Sequence, residues 1–290
     1  MSKPLKIALL SLLVLFAGIG LLFSAVFVAM QFGLLNVRGS ILERNAFFVG
    51  TTTSVTAGVA ASVPAQPCVN TAQDTCAWNE TPEWNVVAGG LTKDAALIAR
   101  VSSETGVESR FIAASVIPEQ IRFFTAEREV FKRYFEPLKI LGSLSQFSLG
   151  VSGIKQETAR LVETYANDPT SPFYPGPEAA VLLAYPENTR DRDAALYARL
   201  TNEKDHYYSY LYTALYLKEI EAQWNRAGFD ISNDPYALVT LFNIGFTNSR
   251  PNAHPQAGGA AITVGGRTYL FGELGGDFFV SNELKDQFPS

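Results

Sequence analysis

Ser103-Glu-Thr-Gly-Val-Glu-Ser-Arg-Phe-Ile-Ala-Ala-Ser-Val-Ile-Pro-Glu119-Gln120 is a mostly apolar helical stretch that closes on an acid and an amide. Ser109 reads as its start, and Phe111, Ile112, Ser115 and Val116 bracket one side. Pro118 is expected to stop or kink the helix, because its ring clashes with the carbonyl four residues back. Glu119 is therefore expected at the end of an element, where its side chain can enter a cleft. Three further patches follow in order: Gly150-Val-Ser-Gly-Ile-Lys-Gln-Glu-Thr-Ala159, Tyr212-Thr-Ala-Leu-Tyr-Leu217 and Leu241-Phe-Asn-Ile-Gly245.

The surrounding sequence is mostly helical. Thr92 can cap a helix carrying Leu97, Ile98 and Val101, with Gly106 ending it. Helices are also expected from Thr125 to about Leu138 and from Gln156 to Tyr165, the latter halted by Asn167-Asp-Pro169. Two short helical pieces fit residues 171–200. Thr201 to Gly228 carries the longest helical signal of this region, with Tyr208, Leu211, Tyr212, Leu215, Tyr216 and Ile220 at helical spacing. Such a tyrosine stripe is more often core than a platform for sugars. Asp234-Pro235 places a cap before a proline at the first helical position, and that helix should end near Gly245. Ile262 to Phe271 alternates around Gly265-Gly266, a hairpin signal. The fold class expected is mainly α, with one small β-hairpin near the C-terminus.

At the other end, Leu5 to Met30 is almost wholly apolar, interrupted only by Lys6, Ser11 and Ser24. About 20 apolar residues span a bilayer core, so residues 1–36 read as a retained membrane anchor. Lys3 and Lys6 before the run favour an N-terminus on the cytoplasmic side. Residues 37–84 read as an extracytoplasmic linker, small and proline-containing at Thr51–Gly58 and Ala60–Pro67. Cys68 and Cys76 lie there, and two cysteines in an exported polar segment are expected to bridge. Asn79-Glu-Thr fits a glycosylation pattern too short to carry weight. Residues 85–290 are left as one globular domain in the periplasm or outside the cell.

Composition narrows the functions. With 290 residues, 47% of them hydrophobic and 12% aromatic, the chain can build a sizeable core. A net charge of −5 with no basic block argues against nucleic acid as a partner. Two Cys and two His at this spacing suggest no zinc site, and no other cofactor is implied. His206 and His254 stand alone and receive no role. No nucleophile-elbow pattern supports a Ser-His-Asp hydrolase.

The four patches together resemble the lysozyme-like lytic transglycosylases, the superfamily of goose-type lysozymes and soluble transglycosylases. The family's acid, a Glu closing a helix, falls on Glu119. Its Gly-Leu-Met-Gln-x-x-Pro-x-Thr-Ala falls on Gly150–Ala159, its Ala-x-Tyr-Leu on Ala214–Leu217, and its Tyr-Asn-Ala-Gly on Phe242–Gly245. The likeness covers roughly residues 90–250. There are departures: Gln120 stands where the family has Ser, Gly153 where it has Gln, Gln156 where it has Pro, and Phe242 where it has Tyr. By that resemblance each would alter a polar contact to substrate, and the chain looks like a divergent branch.

The resemblance implies an α+β lysozyme-like fold that cleaves peptidoglycan glycan strands without a cofactor. Glu119 would be the acid, and Gln120, Ser148, Gly150, Ser152, Gly153, Ile154, Asn243 and Gly245 would line the substrate. Read locally, the Gly150 loop either approaches a sugar through its backbone or caps the helix starting near Gln156. Asn243 either contacts an N-acetyl group or Glu119, or simply ends a helix before Gly245. The segment after Gly245, with its hairpin, is expected to line one side of a groove. Glycosidic cleavage needs a carboxylic acid able to protonate the leaving oxygen, and apolar surroundings disfavour its charged form. Ile117, Pro118, Phe123 and Phe124 flank Glu119, while Arg122 would oppose this effect if it came close. Hydrolases usually pair two carboxylates. Glu127, Glu129 and Glu136 are candidates, but Glu127–Arg133 reads best as a solvated helix face with paired charges. A single-Glu lytic mechanism is the expectation, with simple hydrolysis or an inactive wall-binding protein on the same fold as alternatives.

Overall fold

The chain divides into two compact units, Met1–Arg38 and Gly39–Ser290. The computed structural model describes residues 77–125, 148–202 and 204–289, together with Phe16 and Leu21. The expected Cys68–Cys76 bridge and the helix expected from Thr125 to Leu138 lie outside the described residues, as does the apolar Leu5–Met30 run apart from Phe16 and Leu21. Among the described residues no helix is long and apolar enough to cross a membrane.

A mainly helical body follows, as its patterning requires. Two helices form its centre. α3 (Ser109–Thr125) is buried continuously from Phe111 to Ile121, and α7 (Tyr207–Arg226) from Ser209 to Leu217. A helix buried on every side belongs inside the protein, so the tyrosine stripe of α7 is core. Around them run α1 (Pro82–Lys93), α2 (Ala95–Thr105), α4 (Gln156–Ala166), α5 (Pro177–Leu183), α6 (Arg192–Leu200), α8 (Pro235–Ile244) and α9 (Phe271–Val280). α7 packs on α2, α3, α4, α6 and α8, whereas α3 packs on α1, α2, α8 and α9.

Local signals set several boundaries. Thr81 accepts the Trp84 N–H at 3.2 Å and Pro82 occupies the first turn, so α1 starts inside the expected linker. Trp78 and Trp84 are buried, 4.9 Å apart edge to face, and both stack near Phe278 of α9. Thr92 is not a cap: it sits within α1 and bonds back to Ala88 O. Asp234 does cap α8, accepting the Ala237 N–H at 2.9 Å.

The hairpin pairs β3 (Ala261–Val264) with β4 (Arg267–Leu270), and β3 lies on α3. Gly265 and Gly266 turn it with φ of 58° and 79°, values that side chains resist. A second, shorter antiparallel pair joins β1 (Ser148–Leu149) to β2 (Ile154–Lys155).

Pro118 corrects one expectation. α3 continues through it to Thr125, so Glu119 lies within the helix and not at its end. Pro118 deprives the Ala114 carbonyl of its helical donor. Gly275 of α9 packs against that carbonyl so closely that a β-carbon there would lie 2.6 Å from it. The freed oxygen thus faces another helix.

Candidate active site

Glu119 is only 4% exposed. One carboxyl oxygen meets the Arg122 guanidinium at 2.8 Å, one helical turn on. Gly153 also approaches the Glu119 side chain. A β-carbon at that position would lie 2.5 Å from both Cδ and Oε1 of Glu119, and closer still to Cγ. Gly153 also has φ of +66°, a region disfavoured for side chains. Only glycine lets the main chain lie flat on the acid in this way.

The turn that carries Gly153 is held from several directions. Its ends are β1 and β2, and the Gly153 N–H meets Gly150 O at 3.4 Å. Gly150 presses against Leu200 O and Ser209, where a β-carbon would stand 2.8 Å from the serine Oγ. Val151 and Ile154 are buried in the core. Ser152 is 1% exposed, with its hydroxyl 2.9 Å from Ser209 Oγ and 3.1 Å from Ser209 O. Gln120, 0% exposed, donates its side-chain amide to Val151 O.

These contacts change how several sequence-derived candidates read. Gln120, Ser152 and Ile154 face the protein interior, so their polar atoms or side chains shape the turn and do not offer themselves to a ligand. Ser148 contributes backbone to β1, and its side chain lies outside the description. Gly150 and Gly153 bring the backbone close to Leu200, Ser209 and Glu119, that is, to other parts of the protein.

The other two patches meet each other. Ala214, Tyr216 and Leu217 are core residues of α7. The Tyr216 ring lies 5.2 Å from that of Phe242 and 4.3 Å from that of Phe246, with its hydroxyl below Gly245. Burial, the neighbouring Glu219 and Tyr165 raise the Tyr216 hydroxyl far above the usual phenol value, against a small opposing effect from the Phe246 backbone. Gly245 ends α8 with φ of +92° and returns its N–H to Leu241 O. Asn243 is half-buried. Its side-chain oxygen accepts the Ala260 N–H at 2.9 Å, fixing the strand entry of β3. Among the described residues no hydrogen bond joins Asn243 to Glu119. Since Ser152 is anchored on α7 and Tyr216 belongs to the same helix, the four patches form one connected chain of contacts.

Two polar clusters on α7 were not anticipated. Asp94 accepts the Tyr210 hydroxyl at 2.7 Å and lies 2.6 Å from His206 Nδ1, giving that histidine a structural partner. Glu163 accepts hydroxyl bonds from both Tyr185 and Tyr212. Burial and this carboxylate push the Tyr185 hydroxyl up to about 12. No local pattern marks such pairs, because their members are 22 to 116 residues apart. Among the described residues no group of three or more His, Cys, Asp or Glu is placed to hold a metal ion. No protein-family model, no curated protein and no solved structure matches the chain.

Proposed function

We propose that this chain is a membrane-anchored peptidoglycan lytic transglycosylase, cutting the β-1,4 bond between N-acetylmuramic acid and N-acetylglucosamine. One observation supports the reading above the rest: a single carboxyl, Glu119, is enclosed by a helix and covered by the backbone of a two-glycine turn. Enclosure keeps bulk water from competing for the proton.

The chemistry then needs one acid. Glu119 donates its proton to the glycosidic oxygen as that bond breaks and positive charge grows at the anomeric carbon of the muramyl ring. The 6-hydroxyl of the same ring attacks that carbon, and the Glu119 carboxylate takes up the hydroxyl proton. The products are a free 4-hydroxyl on N-acetylglucosamine and a 1,6-anhydro muramyl end, and Glu119 is restored. Arg122 must loosen its hold for the donor step. The Arg122 side chain is about one-fifth exposed.

A non-cleaving wall-binding protein is the second reading, favoured by that same ion pair, which occupies Glu119 as a structural group. Zymography in intact murein separates the two. Clearing by the native chain and none by Glu119→Gln supports the enzyme. Equal retention of both proteins on murein with no clearing by either supports the binder.

A further inference from the structure

We propose that Gln120 and Ser209 are positioning residues that clamp the Gly150–Gly153 turn from opposite sides and thereby set the orientation of Glu119. This rests on reading Glu119 as the acid. Gln120 is the next residue on α3 and points about 100° round the helix from it. Its buried amide reaches Val151 O, so the turn is tied to the very helical turn that carries the acid. Ser209 grips the other side from α7. It bonds Ser152 through hydroxyl and carbonyl, receives the Ser152 N–H at 3.4 Å, and abuts Gly150. Gly153 follows immediately and has no side chain with which to adjust its contact. The position of Glu119 therefore depends on where these two anchors place the backbone.

The arrangement also accounts for two departures from the related motif pattern. Where the motif it resembles has a glutamine on the turn, this chain has Gly153, and Gln120, the residue after the acid, secures the turn from the helix. Ser209 was not singled out from the sequence, because a serine within a tyrosine-rich core helix gives no local signal.

Gln120→Met keeps length and removes the donor; Ser209→Ala removes the hydroxyl alone. Both are tested in the full chain by two readouts. The first is amide hydrogen exchange of Gly153, which the clamp should protect and each variant should speed at least tenfold. The second is turnover of a soluble tetrasaccharide of alternating N-acetylglucosamine and N-acetylmuramic acid. There kcat should fall about ten- to a hundredfold, the scale set by misplacing a reacting group, with KM changed less than twofold. Should Gln120→Met fail to fold, Ser209→Ala still decides the matter. Unchanged exchange in the folded variants overturns the clamp whatever the activity does. Faster exchange with unchanged kcat overturns the positioning role. A native chain that cleaves nothing defeats the enzymatic reading instead, and exchange then still reports on the clamp.

Discussion

Gly153 lies against the side chain of Glu119, so close that any β-carbon at that position would collide with the carboxyl. Gly153→Ala should therefore fail twice. The left-handed backbone costs a substituted residue about 1–2 kcal/mol, and overpacking adds about 1–3 kcal/mol. Gly106 is the control, with φ of +76° and nothing within 4 Å of its virtual β-carbon. Gly106→Ala should lose only the backbone part, about 1–2 kcal/mol. Urea midpoints for both variants test this, and equal losses would contradict the collision.

Arg110, at the start of α3, is fully buried and donates to five carbonyls of the C-terminal segment: Phe278, Phe279, Ser281, Glu283 and Phe288. Its guanidinium also stacks 4.6 Å from the Phe278 ring. Arg110→Met leaves those acceptors unmet and should destabilise the protein by at least about 3 kcal/mol. Limited proteolysis should then cut selectively after Val280, whereas the native tail resists.

Glu219 is 0% exposed, and neither of its oxygens has a hydrogen-bond partner among the described residues. Burial holds its carboxyl well above the usual range, so the folded protein keeps it protonated after the unfolded chain has released it. Between the ordinary glutamate value and the folded one, the native state binds more protons than the unfolded state. Stability is thus lost as pH rises, by about 1.4 kcal/mol for each pH unit in that window. Glu219→Met should raise Tm at pH 8 and bring no such gain at pH 4. A gain independent of pH would show that Glu219 is not buried as the neutral acid.

Asn243 fixes the Ala260 N–H, and Gly259 packs on the same side-chain oxygen. Asn243→Ala should cost about 1–3 kcal/mol, the range for an orphaned polar group, and should speed exchange at Ala260. If the residue also contacts substrate, KM rises together with that loss of stability. A stability loss with unchanged KM makes Asn243 a purely structural residue.

Much of the fold was legible because it depends on local pattern. The tyrosine-rich stripe of α7, which lies within the expected Thr201–Gly228 span, the Asp234-Pro235 start and the Gly265-Gly266 hairpin follow local patterning. α9 was invisible, since Gly272, Gly275 and Gly276 lower helix propensity. Those same glycines let the helix lie against Thr240, Val239 and Tyr236, and packing overrides propensity there. Pro118 misled in the opposite sense, because the helix runs through it to Thr125. For the site, Glu119 and the glycine-rich patch were singled out by their resemblance to a family motif, and what the structure adds is that Gly153 lies against Glu119. Ser209 and Arg110 act across 57 and about 170 residues of chain, a separation at which single-sequence pattern carries no information.

The most direct test is mass spectrometry of the products released from purified murein by the native chain and by Glu119→Gln. Muropeptides ending in 1,6-anhydro-muramyl residues should accumulate with the native protein, and their yield should fall at least about a hundredfold when the acid is neutralised. The same products at the same rate from both proteins would contradict Glu119 as the proton donor.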